Sequence, residues 1–260
     1  MTSMNKAASP VLLGALGVFC FLALWEAGSA AVDAREALPP VQDVVTALLA
    51  LAGTGAFWQD LGATLGVSLA GWAIAAVLGV TLGILIGTSR WIRAVTRIPL
   101  EFLRPIPAIV ILPLAMLVLG PTTEMGVFLV VFGVLLPITA QTVAGVEAVD
   151  PVMRNTARSF GLGRTEILVR VVLPGASPFI GTAMRVAAPV TLVMTVVAGM
   201  LGGSPGLGNS LSVAQLTGRT EDIFAYVLVL GILGLLVQAL SNRAERRILH
   251  WHTSFRKVSP

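Results

Sequence analysis

The sequence predicts an all-α integral membrane protein: one bundle of six spanning helices with both chain termini on the cytoplasmic side. Three observations predict it. Apolar residues make up 56% of the 260 and charged residues only 12%, with a mean hydropathy of +0.90. Soluble domains carry roughly twice that charge, and a water-soluble chain of this length would have too little polar surface to cover itself. The apolar residues gather into six runs, each near the roughly 20 residues that a spanning helix needs. The basic residues cluster in every second segment between those runs, and so on one side of the membrane.

The spans read as residues 10–28, 61–87, 100–120, 126–146, 178–201 and 223–240. The first is preceded by Lys6 and followed by Ser29, Ala30 and Ala31, a pattern that also suits a signal peptide. Trp25 and Glu26 fit a retained helix end better. Between the first two spans, Pro39-Pro40 precedes Val41, Val44, Val45, Leu48, Leu49 and Ala52, an apolar stripe at helical spacing. It predicts a short amphipathic helix at the outer surface, either packed on the bundle or dipped into lipid. No repeat, low-complexity stretch or hydrophilic linker divides the chain, so residues 1–260 form one transmembrane domain.

Orientation follows from the basic residues. With the N-terminus inside, inner segments hold Lys6, Arg90, Arg93, Arg97, Arg154, Arg158, Arg164, Arg170, Arg243, Arg246, Arg247, Arg256 and Lys257. Outer segments hold Arg35 and Arg219 beside Asp33, Glu36, Asp43, Asp60, Glu124, Glu221 and Asp222. This clustering accounts for the basic balance better than nucleic-acid binding, which calls for a continuous basic stripe with aromatics.

Within the spans, Gly71, Ala75, Gly79, Gly83 and Gly87 place small residues at every fourth position. Such a stripe lets two helix backbones approach closely, either inside the bundle or between two copies. The third span carries Pro99, Pro105, Pro107 and Pro113. Each proline removes a backbone donor, and a broken helix in a bilayer is tolerated where protein shields it or where it lines a cavity. Two readings stand: Pro105, Pro107 and Pro113 line a pathway, or they kink a packing helix. Glu101 and Arg104, three residues apart, read as a pair near the inner end of that span. Arg185, about two turns into the fifth span, suits an anion counter-charge, a snorkelled cation or a structural tie. The run Gly199–Gly208 reads as an outer turn closing the fifth span.

Chemistry has little to build on. Cys20 is the one cysteine, His250 and His252 lie in the tail, and no metal-ligand spacing or nucleophile elbow occurs. No Gly-rich loop is followed by Gly-Lys-Ser/Thr, so no phosphate-binding loop is expected.

The most informative segment is a charged island between the fourth and fifth spans, residues 150–172. Asn155-Thr156-Ala157-Arg158-Ser159-Phe160-Gly161, followed by Val171-Val172-Leu173-Pro174, resembles the cytoplasmic loop motif of permease subunits of ABC importers. Leu38-Pro39-Pro40-Val41, Leu103-Arg104-Pro105-Ile106-Pro107 and Gly206-Leu207-Gly208 resemble the nitrate/sulfonate/taurine branch, as do Arg246-Arg247 and Trp251. Two positions depart from that pattern: Asn155 stands where the loop motif usually has Glu, and Gly199 where the branch often has Glu.

The resemblance implies the type I ABC importer permease fold, with the island folded as a coupling helix that docks on an ATPase subunit. On that reading Arg154, Asn155, Thr156, Ala157, Arg158, Ser159, Phe160, Gly161 and Arg164 make the ATPase contact. Arg104, Pro105, Pro107, Pro113 and Arg185 are the pathway candidates. The implied partners are two ATPase subunits, a second permease copy as a homodimer, an extracytoplasmic solute-binding protein and the lipid bilayer. The chain would hold no cofactor, with ATP and magnesium on the ATPase, and would catalyse no reaction of its own. The implied location is the plasma membrane. The implied solute is a small anion such as a sulfonate, taurine or nitrate. Thiamine-precursor or aromatic solutes in the same branch are the alternative, and an ion-coupled secondary transporter is the rival mechanism.

Overall fold

The computed structural model describes residues 10–31 and 38–248. Lys6, Asp33, Arg35, Glu36, His250, Trp251, His252, Arg256 and Lys257 lie outside the described residues. Among the described residues there is no strand; the elements are α1 Pro10–Ala31, α2 Val41–Ala52, α3 Gly55–Thr88, α4 Arg90–Leu103, α5 Ala108–Leu119 and α6 Thr123–Glu147. There follow α7 Pro151–Ser159, α8 Arg164–Ile167, a π-helical turn Leu168–Val172, α9 Leu173–Gly202, α10 Leu207–Leu216 and α11 Thr220–Ile248. Five helices are long and apolar enough to cross a membrane, and the bent pair α4–α5 supplies a sixth span.

The starts of these helices are written in the sequence. Thr54, Ser89 and Thr122 accept hydrogen bonds from the backbone N–H of Phe57, Ile92 and Met125, each at 3.3 Å. Each satisfies one of the orphan donors at a helix N-terminus. At 34 residues α3 runs about 51 Å at 1.5 Å per residue, well past the roughly 30 Å hydrocarbon core.

The centre of the bundle is α3, α6 and α9. The small stripe of α3 lies against α6, so the close approach it allows is within one chain. A Cβ added at Gly79 would stand 2.7 Å from Ile138 Cγ2, and one at Gly87 would stand 2.7 Å from the Val146 Cβ. Ile138, Thr142 and Val146 recur at the same spacing of four, so a branched ridge on α6 fills the flat stripe on α3. Ser68 and Thr195 join α3 to α9 through their hydroxyls at 2.8 Å, and Trp72 Nε1 donates to the Met184 carbonyl at 3.2 Å. These bonds satisfy polar groups that the bilayer could not. α2 packs on the bundle through buried Val44 and leaves Val45 and Leu49 exposed.

Three sequence expectations are corrected. The third span does not run through residues 100–120. It breaks at residues 104–107, α4 and α5 meet at 92°, and the apolar part begins at Ala108. Pro105 and Pro107 cause the break, each lacking an N–H and restricting the residue before it. α4 is instead amphipathic: Arg90, Arg93 and Arg97 share one face, and Trp91, Val95, Ile98 and Phe102 stand exposed on the other. Glu101 pairs with Arg97 at 3.0 Å, and no bond joins it to Arg104. The Gly-rich run after the fifth span is not only a turn, because α10 grows from it. Leu207 N–H donates to Thr64 Oγ1 at 2.9 Å, and Gly208 crosses α9 in backbone contact with Val196.

Candidate functional site

The charged island folds as a helix, a glycine turn and a second helix at one end of the bundle. Asp150 starts α7 by accepting from Val152 N–H at 2.7 Å, and Pro151 occupies the first turn where no donor is lost. The turn ends α7 at Gly161, whose φ of +81° suits glycine. Leu162 N–H then returns to the Ala157 carbonyl at 3.1 Å. Glu166 caps α8 by accepting from Gly163 N–H at 3.0 Å.

One side of α7 is built into the protein. Ala157 is buried with Val146 of α6, Ile167 of α8, and Val172 and Ala176 at the base of α9. Arg154 donates from Nη2 to the Val146 carbonyl at the end of α6. The opposite side is exposed: Asn155, Thr156 and Ser159 are accessible, and Phe160 keeps 80% of its surface in contact with solvent. Val152 and Met153 are exposed beside it. α7 is thus in direct contact with the end of α6 and the start of α9.

The junction to α9 carries a feature that the sequence reading missed. Leu173 N–H bonds to the Leu168 carbonyl five residues back, giving the π-helical turn. Pro174 follows with no N–H to restore the four-residue pattern. Such single-turn widenings recur where helices bend for function. The only sequence signal was Pro174 itself.

The pathway candidates separate. Pro105 and Pro107 form the break, Pro113 lies in α5, and Arg104 ends α4. Arg104 is exposed and lines a cavity of about 250 Å³ with Arg97, Glu101 and Thr139. Arg185 lines another, of about 480 Å³, and its Nε lies 2.8 Å from Glu245 Oε2. Thr182 donates to the other oxygen of Glu245 at 3.1 Å. Sequence reading missed Glu245 because the sixth span was ended at residue 240, whereas α11 continues to Ile248. A third groove, of about 310 Å³ between α6 and α9, is lined by Gly133, Pro137, Gln141 and Thr182. An amide in an otherwise apolar span was the available signal for Gln141.

This architecture defines a class: a multi-pass helical membrane protein whose spans enclose grooves and whose inter-span helix presents an exposed face at one end. The chain belongs to the family of inner-membrane components of binding-protein-dependent transport systems, the permeases of ABC importers, whose family model matches residues 79–250. It is 30% identical to the taurine transport system permease protein TauC of Escherichia coli (strain K12), over 83% of this chain and 80% of that protein. It is 29% identical to the nitrate import permease protein NrtB of Leptolyngbya laminosa, over 75% of this chain and 70% of that protein. The fold matches a chain in the crystal structure of an amino acid ABC transporter with histidines at a TM-score of 0.64. That match has 23% identity and covers 77% of this chain and 97% of the other.

Gly199, where the branch often has Glu, now has a physical account. A Cβ there would stand 2.8 Å from the Asn209 backbone nitrogen and 3.1 Å from Gly208. In this chain α10 crosses α9 too closely for any side chain at that position.

Proposed function

We propose that this permease imports a small anion, sulfonate-like or nitrate-like, and that a separate ATPase subunit drives it by gripping α7. The observation that carries the mechanism is the two-sided build of α7. Its apolar tip, Val152, Met153 and Phe160, is exposed, and such a patch marks a surface that a partner covers. Its other side is fused to α6 and α9. Arg154, Asn155, Thr156, Arg158, Ser159, Gly161 and Arg164 frame that tip, and the Asn155 amide supplies hydrogen bonds where the loop motif has a carboxylate.

In this reading the α7 end faces the cytoplasm, supported by thirteen basic residues on that side against two on the other. ATP and magnesium sit on the ATPase, so the chain itself hydrolyses nothing. ATPase closure moves α7, the cluster around Ala157 passes the movement to α6 and α9, and the π-helical turn lets α9 bend. The groove with Gln141 and Thr182, and the cavity with Arg104, supply polar groups for the solute. A second copy of this chain closes the pathway as a homodimer, and an extracytoplasmic binding protein delivers the solute. The solute class rests on the taurine and nitrate relatives.

An ion-coupled secondary transporter needs a carboxylate free to take up protons inside the bundle. The buried Glu245 is held by Arg185 and Thr182 instead. Reconstitution in proteoliposomes with the ATPase and binding protein tests the proposal, with labelled taurine, nitrate and a thiamine-precursor pyrimidine as solutes. Uptake of one of the anions that requires ATP is expected. Uptake driven by a proton or sodium gradient without ATP would contradict it.

A further inference from the structure

Four arginines converge on one cleft: Arg90, which the proposed ATPase contact does not include, joins Arg154, Arg158 and Arg164 from the edge of that contact. Arg90 from the start of α4, Arg154 and Arg158 from α7, and Arg164 from α8 line an open cleft of about 570 Å³. No carboxylate lines it, and none of the four makes an ion pair among the described residues. The nearby acids are occupied: Asp150 and Glu166 cap their own helices, and Glu147 holds Arg93 at 2.6 Å. Arg154 Nε is buried with no hydrogen-bond partner. Four uncompensated guanidinium groups around one space repel one another, and their forked donors match phosphate oxygens.

The position of the cleft selects the ligand. On α7, Arg154 and Arg158 lie four residues apart on a flank about 100° or more away from the apolar tip residues Val152, Met153 and Phe160, at about 100° per residue. The cleft is therefore beside the exposed tip rather than on it. It opens at the foot of α3, where Thr88 ends a long apolar helix and exposed Trp91 follows Arg90. Tryptophan at such a boundary sits at headgroup level. The rest of the wall includes half-buried Leu168 beside the buried Ile167 and Val172, an apolar floor next to the arginines. We infer that this cleft holds the phosphate of an anionic membrane lipid, which bridges α4 to α7 and α8. Basic pockets between spanning helices recognise lipid phosphates in this way.

The test uses the full-length chain in detergent, offered phosphatidylglycerol or phosphatidylcholine, with retained lipid counted by native mass spectrometry. One phosphatidylglycerol per chain is expected, at least tenfold favoured over phosphatidylcholine. The pair Arg90→Gln and Arg158→Gln should remove that preference, whereas Arg90→Lys with Arg158→Lys, which keeps the charge and controls for folding, should retain most of it. Inorganic phosphate at 10-fold excess over lipid, an order-of-magnitude choice of about one decade in occupancy, should leave the lipid bound. Equal retention of both lipids, an unchanged preference in the glutamine pair, or full displacement by inorganic phosphate would each overturn the assignment. So would a glutamine pair that keeps its lipid and loses only the ATPase, which would make the cleft part of the protein contact.

Discussion

Arg185 Nε lies 2.8 Å from Glu245 Oε2, tying the middle of α9 to the last turn of α11. The Glu245 side chain is 8% exposed and the Arg185 side chain 32%. The arginine is therefore already spent on a carboxylate of its own chain, and Thr182 completes that carboxylate's shell. Removing one partner of a fully buried pair costs about 3–5 kcal/mol. With one partner a third exposed, about 2 kcal/mol is the expectation for Arg185→Ala. Thermal denaturation in detergent should show a lowered Tm for Arg185→Ala, and the Arg185→Ala/Glu245→Ala pair should cost less than the sum of the single changes. An unchanged Tm with impaired uptake would instead assign Arg185 to the solute.

The packing of α3 on α6 leaves no room at the small stripe. Gly79→Ala should destabilise by about 1–3 kcal/mol, the usual cost of overpacking a filled site. Gly79→Leu should prevent monodisperse purification. Shortening the opposing ridge with Ile138→Ala should recover part of the Gly79→Ala loss, measured as Tm. If the stripe instead served contact between two copies, Gly79→Ala would change the oligomeric state on size exclusion and leave the Tm of the single chain intact.

At Gly199 the expectation concerns the Glu that the family resemblance implies at this position. Gly199→Glu places a carboxylate against the Asn209 and Gly208 backbone. It should lower Tm by more than Gly199→Ala does, and both should fall below the parent chain. Equal Tm for all three would mean that α10 can retreat from α9 at little cost.

Most of the fold was legible because the bilayer imposes a length and a composition on every span. The ends of α3, α6 and α9 fall within six residues of the sequence expectation. What escaped shares a cause. α10 was passed over because Gly208, Asn209, Ser210 and Ser212 dilute its pattern, although Leu207, Leu211 and Ala214 carry a buried face at helical spacing. The break at residues 104–107 was expected as a kink, and the 92° bend turns α4 into a separate amphipathic helix. Glu245 was hidden in a run of charges that looks like a solvated tail, and only the packing of α11 on α9 turns it inward. Local pattern reaches the elements; the pairings between distant helices depend on tertiary contact. For the site, the island and its glycine turn could be read directly, whereas Arg90 joins Arg154, Arg158 and Arg164 only through the fold.

The glycine turn after α7 makes a sharper demand. At a φ of +81°, Gly161 carries a conformation that costs other residues about 1–2 kcal/mol, and proline cannot adopt it. Gly161→Asn should keep uptake near the parent level, because asparagine tolerates left-handed backbone. Gly161→Pro should abolish ATP-driven uptake while membrane insertion, followed by protease protection of the spans, stays normal. Normal uptake by Gly161→Pro would remove the turn from the mechanism.

Phe160 at the tip of α7 offers the most direct measurement. It is 80% exposed, so Phe160→Asp should leave the Tm of the chain within about 2 °C, as surface changes usually do. Co-purification of the ATPase subunit with the parent chain and with Phe160→Asp, alongside ATP hydrolysis by each complex, decides whether α7 is the driven surface. Loss of the bound ATPase and of uptake in the variant, with an intact Tm, is the expected result. Full retention of both would show that the exposed tip of α7 is not where the driving subunit grips.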